Sequence, residues 1–255
     1  MSKTVLITGA SSGIGHALAK YYGSKGYKLI LIARRKDRLN ALKEALEVFG
    51  VHVDVYANDL SDFEATHKLS TEMLCSYKHI DLVILNAGIS IGHSTHTSNI
   101  EDFKKLYDTN LLSVHVILEP LLHKFKKSGD TKIVFISSLA SLISMPSSIA
   151  YSSSKRALNA YAEGLRYQLL PYNVNVLNIL PGFIDTELTQ KNRFKMPFFM
   201  DINRGTSHIV NAIEKNRRFY AFPFIFYTLI RLLNIMPQFI KDKIVMKYNF
   251  SSSKM

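Results

Sequence analysis

The sequence has one cysteine, Cys75, and few glycines and prolines. A single thiol excludes an internal disulfide and a cysteine-based zinc site, and it is compatible with a reducing compartment. With only 12 Gly and 7 Pro in 255 residues, of which 47% are hydrophobic, the composition excludes extensive disorder. Two small domains would also fit this length, but we predict one α/β domain over residues 1–255.

The sequence also lacks the long apolar runs of a secreted or membrane-spanning protein. Residues 1–4 lead directly into a strand-like run, which leaves no room for a signal peptide. The most apolar stretch is uncharged only over residues 219–230, and Pro223, Arg231 and Pro237 interrupt it. It is therefore too short to span a bilayer comfortably, and we expect a cytoplasmic protein.

Acidic residues are in deficit, since 20 Asp and Glu are outnumbered by 32 Lys and Arg, for a net charge of +12. Such an excess raises the question of nucleic acid or anionic lipid. The basic residues are spread along the chain, without an aromatic-interleaved stripe or a helix-turn-helix or zinc pattern. A solvated basic surface explains them better, so we expect no nucleic-acid partner.

Strand-like and helix-like segments alternate along the chain. Apolar runs predict strands over residues 4–8, 28–33, 51–56, 81–85, 132–136, 173–180 and 218–222. Helical patterns begin near residues 13, 37, 61, 99 and 149. This alternation predicts an α/β fold: a doubly wound, Rossmann-like parallel sheet of about seven strands with helices on both faces.

A glycine-rich turn follows the first predicted strand and opens the first helix. This layout brings a pyrophosphate onto helix N-terminal amides, and the missing Cβ atoms allow its approach. The turn lacks the Gly-Lys-Ser/Thr ending of a nucleotide-hydrolysing loop, which argues against that class of site. The alternative to a dinucleotide site is a flexible turn that binds no ligand. The candidate cofactor contacts here are Gly9, Ser11, Ser12, Gly13, Ile14 and Gly15.

The second predicted strand ends at Ala33 and is followed by Arg34 and Arg35. In dinucleotide folds an acidic residue at this place binds the ribose 2′-hydroxyl, whereas arginine accommodates a 2′-phosphate. The sequence therefore predicts NADPH rather than NADH, mainly through Arg34. The alternative is that both arginines only form the charged start of the next helix.

Further candidates follow the third, fourth and sixth strands. Asp59 and its neighbour Leu60 end the third; Asp59 either binds the adenine amino group or caps the next helix. A small Ala-Gly pair after the fourth strand lets the backbone lie against a flat ligand, and a loop after the sixth suits the nicotinamide carboxamide. The candidates after these two strands are Asn86, Ala87, Gly88, Pro181, Gly182, Ile184 and Thr186.

Tyr151 and Lys155 lie four residues apart in the helix predicted over residues 149–170. This spacing puts both side chains on one face, where an ammonium lowers the pKa of a phenol from about 10 towards neutrality. Taken alone, the pair is equally typical of a chance surface contact. Ser138 follows the fifth strand, beside the same crevice. Asn110 lies among apolar residues and needs a partner, either in the core or in catalysis.

Together these motifs resemble the short-chain dehydrogenase/reductase family, in its single-domain, NADP-preferring branch. The resemblance covers residues 3–222 and departs at Leu85, where the family commonly has a further asparagine. It implies a catalytic tetrad of Asn110, Ser138, Tyr151 and Lys155, and a nicotinamide cofactor that Tyr151 and Lys155 also contact. The implied reaction is hydride transfer between NADPH and a carbonyl or alcohol, with tyrosine exchanging the proton. It also implies a homodimer or homotetramer.

The last part of the chain is the least patterned, and substrate specificity is expected there. Residues 186–200 are a candidate lid, with a packed surface helix as the alternative. Residues 223–255 form an apolar extension that suits a lid, a subunit interface or peripheral contact with a membrane. The aromatic residues of this extension indicate a lipophilic substrate, such as an aldehyde, ketone, sterol or acyl chain. The competing hypothesis is a catalytically idle NADPH-binding or scaffolding protein at a membrane surface.

Overall fold

The computed structural model describes residues 2–91, 99–192 and 196–252, with side chains described up to residue 247. The strands are β1 (Thr4–Thr8), β2 (Lys28–Ala33), β3 (Val53–Ala57), β4 (Leu82–Leu85), β5 (Lys132–Ile136), β6 (Asn175–Pro181) and β7 (Phe219–Phe222). They form one seven-stranded sheet in the order β3-β2-β1-β4-β5-β6-β7, and every pairing is parallel.

Helices cover both faces of this sheet. They are α1 (Gly13–Ser24), α2 (Lys36–Glu47), α3 (Phe63–Ser76), α4 (Ile100–Tyr107), α5 (Ser113–Ser128), α6 (Ile149–Leu169), α7 (Ile202–Glu214), α8 (Phe224–Ile235) and α9 (Gln238–Ser252). Successive strand residues point to opposite faces. Val5 and Ile7 pack with α1, α2 and α7, whereas Leu6 packs with α3, α5 and α6. Burial on both faces explains the continuous apolar strands, and the predicted doubly wound fold is confirmed.

The single helix predicted to begin near residue 99 is interrupted. α4 ends at Tyr107, a π-helical turn covers Asp108–Leu112, and α5 begins at Ser113. Such turns are frequent at functional sites, and this one carries Asn110. The apolar spacing continues through the turn, so periodicity alone could not reveal it.

Two helices near the end of the chain pack against the last two strands, α7 against β6 and α8 against β7. α7 was not among the predicted helices; it packs so closely that a Cβ on Gly205 would lie 2.6 Å from Ile184 Cδ1. The apolar extension forms α8 and α9, which Pro237 separates. Within the described ranges, the helices are all too short or too polar to cross a membrane.

Candidate active site

A cleft opens at the carboxyl edge of the sheet, running from the end of β2 across β1 and β4 to β5. Most of the predicted cofactor contacts line it: Gly9, Ser11, Ser12, Gly13, Ile14, Arg34, Arg35, Asp59, Leu60, Asn86, Ala87, Gly88, Tyr151, Lys155 and Thr186. Gly15 lies beneath the glycine-rich turn. Pro181, Gly182 and Ile184 lie beside the cleft rather than in its wall, because the chain after β6 packs against β7 and α7.

The glycine-rich turn has the shape that an anion site requires. Gly9 and Gly13 have φ values of +70° and +54°, and a Cβ on Gly15 would lie 2.4 Å from the carbonyl oxygen of Gly9. Ser12 precedes α1, but its side chain does not cap the helix. The first amides of α1 therefore remain available to an anion, which fits the predicted pyrophosphate.

Thr8 and Asn86 hold this turn from the side of β4. The Thr8 hydroxyl oxygen accepts from the backbone N–H groups of Asn86 and Ala87, both at 3.0 Å. Asn86 Nδ2 in turn donates to the Thr8 carbonyl at 3.1 Å. Leu85, where the family commonly has asparagine, is buried among apolar side chains, so it supports the core rather than the cleft.

Of the two candidate arginines, Arg35 is the one held in the glycine-rich turn. Its Nε donates to Ser11 Oγ at 3.2 Å and its Nη2 to Ser12 Oγ at 2.6 Å. Arg34 is more exposed and lies 3.9 Å from an Asp59 carboxylate oxygen. Arg35 therefore lies against the glycine-rich turn, whereas Arg34, the arginine that the sequence favours for the 2′-phosphate, lies beside Asp59.

Asp59 does not cap the third helix, so that alternative was wrong. Asp62 is the cap, since its carboxylate accepts from the Ala65 amide at 3.0 Å. Asp59 instead accepts from the amide and hydroxyl of Ser61. Burial raises the pKa of Asp59, but those hydrogen bonds and the charge of Arg34 outweigh it and hold the pKa below its ordinary value. Asp59 is thus a charged acceptor in the cleft wall.

Tyr151 faces the cleft from the first turn of α6, and its hydroxyl is hydrogen-bonded to Ser138. Burial raises the pKa of Tyr151, and the hydrogen bond with Ser138 opposes this without cancelling it. The lowered phenolic pKa expected from Lys155 is therefore not seen. Tyr151 is instead a protonated group at neutral pH.

Lys155 lies one turn further along α6 and is only 4% exposed. Its ammonium donates to the Ile136 carbonyl at 3.0 Å and would lie 3.4 Å from a Cβ on Gly88. Burial lowers the pKa of Lys155 to about 8. A cation is thus present in the cleft at neutral pH and is lost in mild alkali.

Asn110 is fully buried behind the cleft. Its Oδ1 accepts from the Ile89 amide at 2.8 Å, and its Nδ2 donates to the Ile89 carbonyl at 3.0 Å and to Ser154 Oγ at 3.2 Å. Asn110 therefore links the segment after β4 to α6, and both polar atoms of its side chain have partners within the protein.

The cleft wall also contains residues that the sequence patterns did not single out: Ala33, Asn58, Ile89, Thr109, Ile136, Ser137, Glu187 and Leu188. Most of them adjoin a predicted contact at a strand's carboxyl end, so adjacency was the available signal. Glu187 is different, because its carboxylate accepts from Arg35 Nη1 at 2.8 Å and also from Arg38. An ion pair between residues so distant in sequence leaves no local pattern.

The candidate lid over residues 186–200 is only partly covered by the described residues, since 193–195 fall outside them. Ile184, just before this segment, forms a β-bridge with Met200 at the end of it. Residues 186–192 form turns rather than the packed surface helix considered as the alternative.

The family profile described as short chain dehydrogenase matches residues 3–197. The chain belongs to the short chain dehydrogenase family. It is accordingly an oxidoreductase with a nucleotide-binding Rossmann fold. The resemblance to the family is confirmed, and the NADP-preferring branch stays a prediction.

Relatives cover most of this chain. An uncharacterized oxidoreductase of Myxococcus xanthus is 30% identical over 92% of this chain and 93% of its own length. The 11-beta-hydroxysteroid dehydrogenase-like 2 of Arabidopsis thaliana is 32% identical, with coverage of 93% and 79%. The fatty acyl-CoA reductase of Acinetobacter baylyi is 33% identical, with coverage of 84% and 73%. These names span different substrates and fix none for this chain.

Solved structures share the fold. A Sphingobium yanoikuyae short-chain dehydrogenase in complex with NADPH superimposes with a TM-score of 0.80 and 25% identity, over 92% of this chain and 97% of its own. A Burkholderia phymatum dehydrogenase in complex with NAD gives 0.78 at 23% identity, over 91% and 93%. Neighbours thus include proteins with either cofactor.

Proposed function

We propose that this protein is an NADPH-dependent reductase of a lipophilic carbonyl compound, which oxidises the corresponding alcohol in reverse. The observation that carries this proposal is the layout of the cleft. Tyr151 and Lys155 line its β5 side, while Arg35 lies with Ser11 and Ser12 on its β2 side. The proton donor Tyr151 and the guanidinium of Arg35 thus lie on opposite sides of the glycine-rich turn. This arrangement suits a dinucleotide with its nicotinamide at one end and its 2′-phosphate at the other.

The residues of the cleft fit NADPH. The uncapped amides of α1 suit the pyrophosphate, and the guanidinium of Arg35 suits the 2′-phosphate, with Arg34 adding positive potential. Gly88 presents a side-chain-free surface beside Lys155, which suits the nicotinamide ribose. When bound, the cofactor supplies the hydride that reduces the carbonyl carbon.

Each member of the proposed tetrad has a distinct task. Tyr151, kept protonated by burial, donates its proton to the carbonyl oxygen, and Ser138 holds the same oxygen by a hydrogen bond. The Lys155 ammonium lies beside Gly88 and would bind the nicotinamide ribose. Asn110 positions α6 through Ser154. In the oxidative direction Tyr151 acts as the base.

A lipophilic substrate is favoured by the apolar surroundings of Ser138. The next residue, Leu139, packs in a cluster with Leu180, Ala221 and Ile230, flanked by Leu142, Ile143, Phe226 and Tyr227. The Phe226 ring also lies 6.1 Å from that of Phe183 and 5.6 Å from that of Phe198. The names of two relatives, a hydroxysteroid dehydrogenase-like protein and a fatty acyl-CoA reductase, are consistent with this class.

A substrate screen tests the proposal. The purified protein is incubated with NADPH or NADH at matched concentrations and a panel of aldehydes, ketones, steroids and acyl-CoA thioesters, and cofactor oxidation is followed. We expect turnover of apolar carbonyls with NADPH preferred. Tight NADPH binding without turnover of any member of the panel would instead favour the idle, scaffolding alternative.

We also propose that the extension over residues 223–255 touches an anionic membrane, on its cytoplasmic side. The outward face of α8 is apolar, with Phe224 and Ile235 exposed by 73% and 78%. Arg231, Lys241 and Lys243 lie in the same segment. Apolar exposure beside basic residues suits an interfacial helix.

The position of α8 connects this surface to the substrate region. Asn234 Nδ2 donates to the Leu142 carbonyl at 2.8 Å, next to the turn that follows Ser138. Flotation with phosphatidylcholine vesicles, with and without phosphatidylglycerol, tests the contact. We expect binding only to the anionic vesicles, reduced in a Phe224→Ser/Ile235→Ser double variant. A dimer that α8 variants dissociate would show a subunit interface instead.

We propose that the protein forms a homodimer or homotetramer in which the subunits contact one another through α5 and α6. Light scattering of the purified protein tests it, because a monomer at micromolar concentration would contradict it.

A further inference from the structure

Glu187 connects two segments that face each other across the mouth of the cleft. Its carboxylate accepts hydrogen bonds from Arg35 and Arg38. Both arginines lie where α2 begins, beyond the end of β2, whereas Glu187 follows β6. Arg35 is also the guanidinium that contacts Ser11 and Ser12. The Glu187 carboxylate is thus bound to the same guanidinium, that of Arg35, which we propose binds the phosphate.

The turn that carries Glu187 is internally braced and lies against the glycine-rich turn. Thr189 Oγ1 donates to the Ile184 carbonyl at 2.6 Å and accepts from the Thr186 amide at 3.0 Å. Thr186 Cγ2 would lie 3.2 Å from a Cβ on Gly13. The cleft beneath encloses about 200 Å³, less than the ~300–1,000 Å³ of typical small-molecule sites. Thr186, Glu187 and Leu188 line this cleft, so the turn forms part of its wall.

The contact is ionic at neutral pH. Hydrogen bonds from Arg38 and Arg35 lower the pKa of Glu187 to about 2. Nearby His16 is neutral there, because burial and the charges of Lys20 and Arg38 lower its pKa. The positive charge facing Glu187 thus comes mainly from the two arginines. Carboxylate and phosphate bind a guanidinium in the same forked geometry, so the two compete for it.

We infer that Glu187 is an internal competitor of the adenosine 2′-phosphate and sets how strongly this protein discriminates NADPH from NADH. The inference rests on the proposed function for the identity of the cofactor. A 2′-phosphate takes Arg35 and Arg38 only by displacing Glu187, and the braced turn moves away from Gly13 with it. NADH has a 2′-hydroxyl and leaves the ion pair in place. Glu187 therefore weakens NADPH binding selectively.

Binding of nucleotide fragments tests this without catalysis. Affinities of 2′,5′-ADP and 5′-AMP are measured by calorimetry for the wild type, Glu187→Gln and Asp185→Asn. The control Asp185→Asn removes the same charge from the same loop, where that carboxylate accepts from Gln190 at 3.0 Å. We expect Glu187→Gln to bind 2′,5′-ADP about five- to tenfold more tightly, with 5′-AMP unchanged. Asp185→Asn should change neither affinity appreciably.

The inference is overturned by an unchanged 2′,5′-ADP affinity in Glu187→Gln, by an equal gain for 5′-AMP, or by no 2′,5′-ADP binding in the wild type and the variants. A weaker affinity would also contradict it, because Glu187 would then hold the arginines in their binding position. If NADPH-dependent turnover persists in any of these cases, the proposed function stands and only the role of Glu187 is wrong.

Discussion

Asn110 and Ile89 exchange two hydrogen bonds, from the Ile89 amide to Asn110 Oδ1 at 2.8 Å and from Asn110 Nδ2 to the Ile89 carbonyl at 3.0 Å. The side chain thereby imitates a neighbouring strand and fixes the segment that follows Gly88. The π-helical turn over Asp108–Leu112 carries Asn110 at this site. The same amide reaches Ser154 on α6, so a single side chain joins the wall of the cleft to the helix that holds Tyr151 and Lys155.

Replacing Asn110 by alanine should therefore destabilise the protein. The Ile89 amide and carbonyl and the Ser154 hydroxyl lose a partner in a largely buried region, which lowers the free energy of unfolding by about 1–3 kcal/mol. Urea denaturation measures the change. Asn203→Ala, on the exposed side of α7, serves as the control and should stay within ~0.5 kcal/mol of the wild type. Equal stability of both variants would show that Asn110 does not hold the cleft wall.

Tyr151→Phe should abolish most of the turnover while sparing cofactor binding. The substitution removes only the hydroxyl that faces Ser138, and a positioned general acid typically contributes ~10²–10⁴-fold. Steady-state NADPH oxidation gives the rate, and NADPH fluorescence gives the affinity. Tyr161→Phe is the matched control on the same helix, where the hydroxyl contacts His115 at 3.0 Å outside the cleft. Full activity in Tyr151→Phe would refute the proposed mechanism.

Reduction should slow above pH 8. Burial lowers the pKa of Lys155 to about 8, so its ammonium is present below that pH and is lost above it. Because the ammonium would bind the nicotinamide ribose beside Gly88, kcat/KM should be level from pH ~6 to ~7 and decrease above ~8. Lys132→Arg, a control outside the cleft, should keep this decrease. A profile level to pH ~10 would contradict the role of Lys155.

The alkaline decrease should not arise from unfolding. Because the folded pKa of Lys155 is depressed, burying the charged lysine costs free energy of folding. This cost is complete below pH ~8 and decreases as the pH rises towards the unfolded pKa of ~10.4. This group therefore favours the folded state at higher pH. Circular dichroism at each pH verifies that the protein stays folded where its rate declines.

The fold and the cleft could largely be predicted because their determinants are local. Apolar runs gave the strands, and each glycine or hydroxyl motif followed a strand whose carboxyl end must face the crevice. The cap of α3 was missed, because the sequence suggested Asp59 while the helix begins at Phe63 and Asp62 caps it.

Contacts between distant segments could not be predicted. Arg35 contacts Ser11, Ser12 and Glu187, which lie far from it in sequence, so the sequence could not distinguish its position from that of Arg34. The pKa of Tyr151 likewise depends on its burial, whereas the spacing to Lys155 indicated only that both share a helix face. Side-chain direction and burial are properties of the packed molecule.

Two glycines in helices should respond to alanine in opposite directions. A Cβ on Gly15 would lie 2.4 Å from the Gly9 carbonyl oxygen and 2.6 Å from Asn86 Nδ2, so the glycine-rich turn must move. Gly15→Ala should therefore lower the free energy of unfolding by about 1–3 kcal/mol and weaken NADPH binding. A Cβ on Gly164 meets nothing within 4 Å. Gly164→Ala should raise stability by about 0.5–1 kcal/mol, because alanine restricts the unfolded chain.

Both variants are compared by urea denaturation and by NADPH titration. The pair separates close packing from helix propensity, since each replaces a helical glycine by the same residue. If Gly15→Ala binds NADPH like the wild type, the turn does not need the close approach of α1 to β1, and the cofactor must be held elsewhere. If it loses binding while its unfolding free energy changes little, the turn acts on the ligand directly, as the uncapped amides of α1 predict.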